Sequence, residues 1–169
     1  DQFLCVWTSG TYDSAGWGNQ VMCDLRNAGD GTVVRGNIVL RDLSGPLGLG
    51  SPTVAYNAAT DGYWLSYDFY GVFGFGIDGT ATAMTTPVID LGGLGPPSVA
   101  WNPDRNEYLL AMRKVGYSDD GAEYYTTAVQ RVAPDGSLLG PQTIVGATER
   151  YEVFGRVSFN PATGGYYLC

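Results

Sequence analysis

The chain has 169 residues, nine Lys+Arg against 17 Asp+Glu, a formal net charge of −8 and no histidine. With 44% apolar residues and 13% aromatics it can bury a core, which excludes a disordered chain. Its 25 Gly and 9 Pro exclude a coiled coil or helical bundle, and a pI near 4.2 argues against nucleic acid as a partner.

Asp1 opens directly onto a strand-like run, Phe3-Leu4-Cys5-Val6-Trp7. No signal peptide is visible there, so either a leader was removed or the chain is a piece of something longer. No stretch of about 18 apolar residues occurs, so no membrane helix and no membrane insertion are expected. Residues 1–50 are expected to hold three strands, with a long stretch from Ser9 to Gly18 and an Asp-Gly turn at Asp30-Gly31. Cys5 and Cys23 are placed to face each other across a hairpin as a disulfide, with Cys169 left over. They serve equally as small buried hydrophobes. The three cysteines fit no metal spacing.

A complete unit follows over residues 51–95. It opens with Val54-Ala55-Tyr56-Asn57-Ala58-Ala59-Thr60-Asp61-Gly62-Tyr63-Trp64-Leu65 and ends after Asp78-Gly79. Residues 96–154 repeat it, with Val99-Ala100-Trp101-Asn102 leading to Tyr108-Leu109-Leu110 and then Asp135-Gly136. Residues 155–169 start a further copy, Val157-Ser158-Phe159-Asn160 leading to Tyr166-Tyr167-Leu168. The copies begin 45 and 58 residues apart, and in each an Asn stands six residues before a Tyr. The opening Phe3–Trp7 run matches the second half of the unit.

Each unit parses into four short strands, A to D. In the longest they fall at about 98–101, 107–115, 124–132 and 138–145. An Asn-led turn joins A to B, and an Asp-Gly turn joins C to D. β-branched and aromatic residues fill the runs, and no window carries a capped helical period. The class is therefore all-β. Four-stranded units repeated at this period predict β-propeller-type antiparallel blades, because one small sheet covers its apolar faces only by stacking on the next. The recurring rings, Tyr56, Trp101 and Phe159 on strand A and Tyr63, Tyr108 and Tyr166 on strand B, are expected to pack between blades.

The motif resembles a repeat of large secreted bacterial proteins with the consensus Pro-x-Val-Ala-Tyr-Asn-Pro-x-Thr-x-x-Tyr-Leu-Val-Val-Trp. Pro52, Val54, Ala55, Tyr56, Asn57, Thr60 and Tyr63 match it, while Ser66-Tyr67 and Ala111-Met112 depart from its final Val-Trp. The resemblance implies an extracellular or cell-surface location and a binding or scaffold role, with no catalytic residues to carry over.

The strand list is BCD, ABCD, ABCD, AB, or about three blades in permuted phase. Three blades are too few to close a ring. That phase leaves three arrangements open: a segment of a longer propeller, copies joined head to tail by strand addition, or a compact non-propeller β-fold.

Without histidine the chain has no Ser-His-Asp or Cys-His relay, and Lys114 is its only lysine. The densest acidic cluster, Asp119, Asp120 and Glu123 in an inserted loop, is the candidate for Ca²⁺, although it lacks the Asp-x-Asp-x-Asp-Gly pattern. Tyr12, Trp17, Tyr70, Tyr117, Tyr124 and Tyr125 sit in or near loops and are the candidate ring platform for a glycan. The leading expectation is a non-catalytic structural, assembly or interaction module, self-associating or part of a longer chain. A lectin-like carbohydrate-binding propeller is the alternative, and a glycoside hydrolase-like propeller comes third.

Overall fold

A computed structural model describes residues 1–13, 16–44, 50–68, 71–84, 89–117, 120–145 and 155–169, with backbone alone at 11–13, 16–18, 44 and 94. Every regular element among them is a β-strand. β1 (Gln2–Asp13), β2 (Gly16–Asn27) and β3 (Val33–Ser44) form the first sheet. β4 (Thr53–Asn57), β5 (Gly62–Asp68), β6 (Val72–Asp78) and β7 (Ile89–Asp90) form the second. β8 (Leu94–Asn102), β9 (Glu107–Tyr117), β10 (Glu123–Val132) and β11 (Thr143–Val145) form the third, and β12 (Val157–Asn160) and β13 (Gly165–Leu168) the fourth. All pairs are antiparallel between chain neighbours. The sheets thus hold three, four, four and two strands, the order that the repeat predicts.

The turns follow from side chains at fixed places. Asn57 Oδ1 accepts the Ala59 N–H at 2.8 Å, Asn102 Oδ1 that of Asp104 at 3.0 Å, and Asn160 Oδ1 that of Ala162 at 3.0 Å. Four residues beyond each Asn the chain must turn left-handed. Asp61 (φ 49°), Asn106 (φ 51°) and Gly164 (φ 66°) occupy that position, and these residue types tolerate it best. The Asp-Gly turns use a hydroxyl that follows them. Asp30 Oδ1 accepts the Thr32 N–H and hydroxyl, Asp78 Oδ1 those of Thr80, and Asp135 Oδ1 those of Ser137, all between 2.7 and 3.0 Å.

Strand alternation sends successive side chains to opposite neighbours. On β5, Tyr63, Leu65 and Tyr67 join Leu4, Val21, Cys23, Leu25 and Leu40 in a core between the first and second sheets. Trp64, from the other face of β5, meets Val99, Tyr108, Leu110 and Met112 between the second and third. On β9, Leu109 and Ala111 face Val157 of the fourth sheet. Each inner sheet is therefore covered on both sides. The first strands of successive sheets, β4, β8 and β12, stand next to one another.

Three expectations shift. The last strand of the third sheet is only Thr143–Val145, with Leu138 reduced to a lone bridge to Val132. Gly140 (φ 81°) turns the chain there and Pro141 has no N–H to pair. Much of the extra length of the third unit goes into strands β9 and β10, which have 11 and 10 residues against seven each in β5 and β6. The strand-B rings Tyr63 and Tyr108 are buried, but Tyr56 on β4 is 45% exposed. It pairs with Tyr63 at 5.1 Å, and among the described residues the first sheet ends at β1.

Trp64 is fully buried and fits because Gly74 on the paired strand has no side chain. A Cβ there would stand 2.7 Å from the indole ring. Gly74→Ala should therefore cost about 1–3 kcal/mol through overpacking. Asn102→Ala, which removes a buried acceptor from two N–H groups, should cost about 1–3 kcal/mol. Urea unfolding checks both as a lowered midpoint at unchanged slope.

Candidate functional site

The antiparallel pairing sorts the chain's chemistry onto two ends of the sheets. At one end lie the starts of β4, β8 and β12 together with the tips of the β1–β2, β5–β6 and β9–β10 hairpins. At the other lie the Asn-led and Asp-Gly turns.

The candidate glycan rings fall on two of these hairpins. Tyr12 and Trp17 are cross-strand partners near the β1–β2 tip. On β9–β10, Tyr117 pairs with Glu123, Gly116 with Tyr124 and Val115 with Tyr125. Alternation puts Tyr117, Glu123 and Tyr125 on one face and Tyr124 on the other. Tyr124 does not join them in a platform. Its ring lies over Gly116 and fills the place of a side chain there. Tyr117 is 69% exposed. The Arg113 guanidinium stands 4.6 Å from the Tyr125 ring centre, and the Tyr125 hydroxyl donates to Glu123 Oε2 at 3.2 Å. Tyr70 lies outside the described residues.

The candidate Ca²⁺ residues are described in part. Asp119 lies outside the described residues, and Asp120 and Glu123 are exposed. Asp120 Oδ1 accepts the Ala122 N–H at 3.1 Å, which makes it a turn residue. Among the described residues no three acidic or cysteine side chains converge as a metal site.

The expected Cys5–Cys23 disulfide does not form; both are free thiols. The register pairs Cys5 with Asp24 and Cys23 with Val6, so the two side chains point to opposite faces. Cys23 is buried in the core between the first two sheets, and that burial pushes its thiol up to about 11.

The buried carboxylates are paired. Glu107, 1% exposed, accepts Arg131 Nε at 2.9 Å and Nη2 at 2.5 Å, and Asp24 accepts Arg26 Nη2 at 2.7 Å. The carboxyls of the Asp-Gly turns sit below the usual range. Backbone and hydroxyl donors of Thr32 and Ser137 lower Asp30 and Asp135; for Asp78, burial opposes the shift but the donors of Thr80 and Thr82 outweigh it.

Three features lie outside the sequence expectations. The first is a link between sheets. The Asn57 side chain lies beside the Tyr108 phenol and Asn102 beside that of Tyr166, each reaching from strand A of one sheet to strand B of the next. Burial pushes both phenols up to about 12, and the asparagines oppose it. The repeat of Asn and Tyr at fixed spacing held this signal. The second is the outer face of each end sheet, where Phe3 and Val39 at one end and Tyr167 at the other are exposed. The third is a cleft of about 320 Å³ where β4, β8 and β12 begin, lined by Ser51, Pro52, Thr53, Pro96, Pro97, Ser98 and Arg156. These residues come from equivalent places in three successive units.

No family model, curated protein or solved structure matches this chain.

Two measurements test this geometry. Thiol labelling at pH 8 should modify exposed Cys169 at once and Cys23 only on unfolding. Tyr108 and Tyr166 favour the neutral phenol in the folded state. Their contribution to stability should be full below pH 10 and fall as pH rises toward 12, visible as alkaline unfolding over that window.

Proposed function

We propose that the chain is an arc of β-propeller blades that works as a non-catalytic extracellular assembly or interaction module, joined at both end sheets to further sheets of the same kind. One observation carries this reading. Position 167 corresponds to Trp64 and Leu109, which are 0% and 7% exposed because a following sheet covers them; Tyr167 is 60% exposed. At the other end of the stack, β1 is an edge strand, and Phe3 and Val39, on the outer side of the first sheet, are 40% and 47% exposed. Uncovered faces and a free edge, set where inner sheets are covered, fit a partner built from the same repeat. The succession of β4, β8 and β12 along one side of the stack supports blades arranged about an axis.

The non-catalytic reading is supported by the pairing of Asp24 and Glu107 with arginines on separate sheets, since a hydrolase needs two carboxylates across one cleft. Carbohydrate binding is the second reading, favoured by the exposure of Tyr117 beside the Tyr125–Arg113 stack. Ring stacking there would be lost in a Tyr117→Ala, Tyr125→Ala double variant.

The native particle mass tests the first reading. Light scattering should show discrete multiples of 18.0 kDa or long polymers. Tyr167→Glu should shift the mass toward the monomer without lowering the unfolding free energy by more than about 0.5 kcal/mol, because the side chain is exposed. A monomer in the unaltered protein at all concentrations, with Tyr167 open to solvent, would overturn the reading. A glycan array tests the second.

A further inference from the structure

The cleft at the head of β4, β8 and β12 has a chemistry that neither reading uses. Its shape begins with proline. Pro96 and Pro97 have no N–H to give to β9, and the β8–β9 ladder shifts register between Leu94 and Ser98 at that place. The irregularity lies in the strand that forms the middle of the cleft wall. Pro52 stands at the equivalent place ahead of β4, so two walls are stiff and lack backbone donors there.

The polar groups of the cleft are donors. Ser98 Oγ accepts the Val157 N–H at 3.0 Å, which leaves its O–H proton to donate. Ser51 and Thr53 add two more hydroxyls. Arg156 supplies the charge. Its backbone is pinned, the N–H donating to the Cys169 carbonyl at 2.6 Å and its own carbonyl accepting the Cys169 N–H at 3.0 Å. Its side chain is exposed, and among the described residues it makes no ion pair. In a chain of net charge −8, a guanidinium that has no acid partner among the described residues and lines a hydroxyl-bearing cleft is set for an anion brought from outside. At the same end, Asp68 is faced by the Gly95 N–H and by Arg113.

We infer that this cleft is a carboxylate-binding site, in which Arg156 takes both oxygens of a small organic carboxylate while Thr53 and Ser98 donate to its oxygens or neighbouring hydroxyls. One guanidinium in a negatively charged protein matches a monoanion, and a phosphate dianion would meet excess negative field. The volume of about 320 Å³ suits a single sugar acid or a compound of that size.

The probes are glucuronate, glucose and inorganic phosphate, titrated into the whole chain and followed by NMR shifts of Thr53 and Ser98. Glucuronate should bind and shift both residues; glucose should not. Arg156→Ala should weaken glucuronate about tenfold or more, and Arg156→Lys should recover only part of that loss, because ammonium lacks the planar fork. Thr53→Val keeps the shape and should weaken binding by a few-fold. Equal binding of glucose and glucuronate, tighter binding of phosphate, or an Arg156→Ala variant that binds as well as the unaltered chain would each overturn the assignment. So would the absence of any shift at millimolar glucuronate. The particle mass is read separately in the same samples, so failure here leaves the assembly reading to its own test.

Discussion

Burial of one sheet face against the next is the interaction on which the rest of this structure depends. A three- or four-stranded sheet of this size has two faces, and alternation makes both apolar: Tyr63, Leu65 and Tyr67 on one side of β5, Trp64 on the other. Neither face is stable in water. Each fully buried large side chain contributes about 1.5–3 kcal/mol, so one stacking event supplies most of what a short sheet needs. The order of the chain follows. Successive units pack on their neighbours, and a core forms in each gap between sheets.

The polar features make that stacking specific. An asparagine at the end of each first strand caps its own turn and, in the two inner units, lies against the tyrosine of the following sheet. Asn102 thus joins its own turn to the next sheet, where its Nδ2 also donates to the Gly164 carbonyl at 3.5 Å. Glu107 and Arg131 add a charged pair on the third sheet, close to Tyr166 of the fourth: the Tyr166 hydroxyl lies 3.5 Å from Glu107 Oε1. A buried carboxylate costs heavily unless it is paired, and the Arg131 guanidinium supplies that pairing. The same geometry leaves the outer faces of the end sheets with interface residues and no cover, and there the assembly proposal begins.

The two ends of the sheets differ in what they offer. The Asn-led and Asp-Gly turns spend their side chains on their own backbone, which makes them caps. The opposite end, with prolines that interrupt pairing and hydroxyls and a guanidinium left over, retains groups free to meet a ligand.

The sequence by itself determined the all-β class, the number and order of strands, and the turns. These are local properties: period-2 patterning, Asn and Asp side chains that bond the backbone within a few residues, and the left-handed tolerance of Asp61, Asn106 and Gly164. What it misjudged depended on register and contact. Cys5 and Cys23 look matched across a hairpin, but a one-residue offset sends them to opposite faces. Tyr124 looks like a partner of Tyr125, but adjacent strand residues diverge, and Gly116 takes its ring. The cleft at Arg156 was not legible, because Thr53, Ser98 and Arg156 are far apart in the chain and meet only where three first strands line up. Only the tertiary structure decided that, since side-by-side placement of distant strands is set by how sheets stack and not by any residue's own preference.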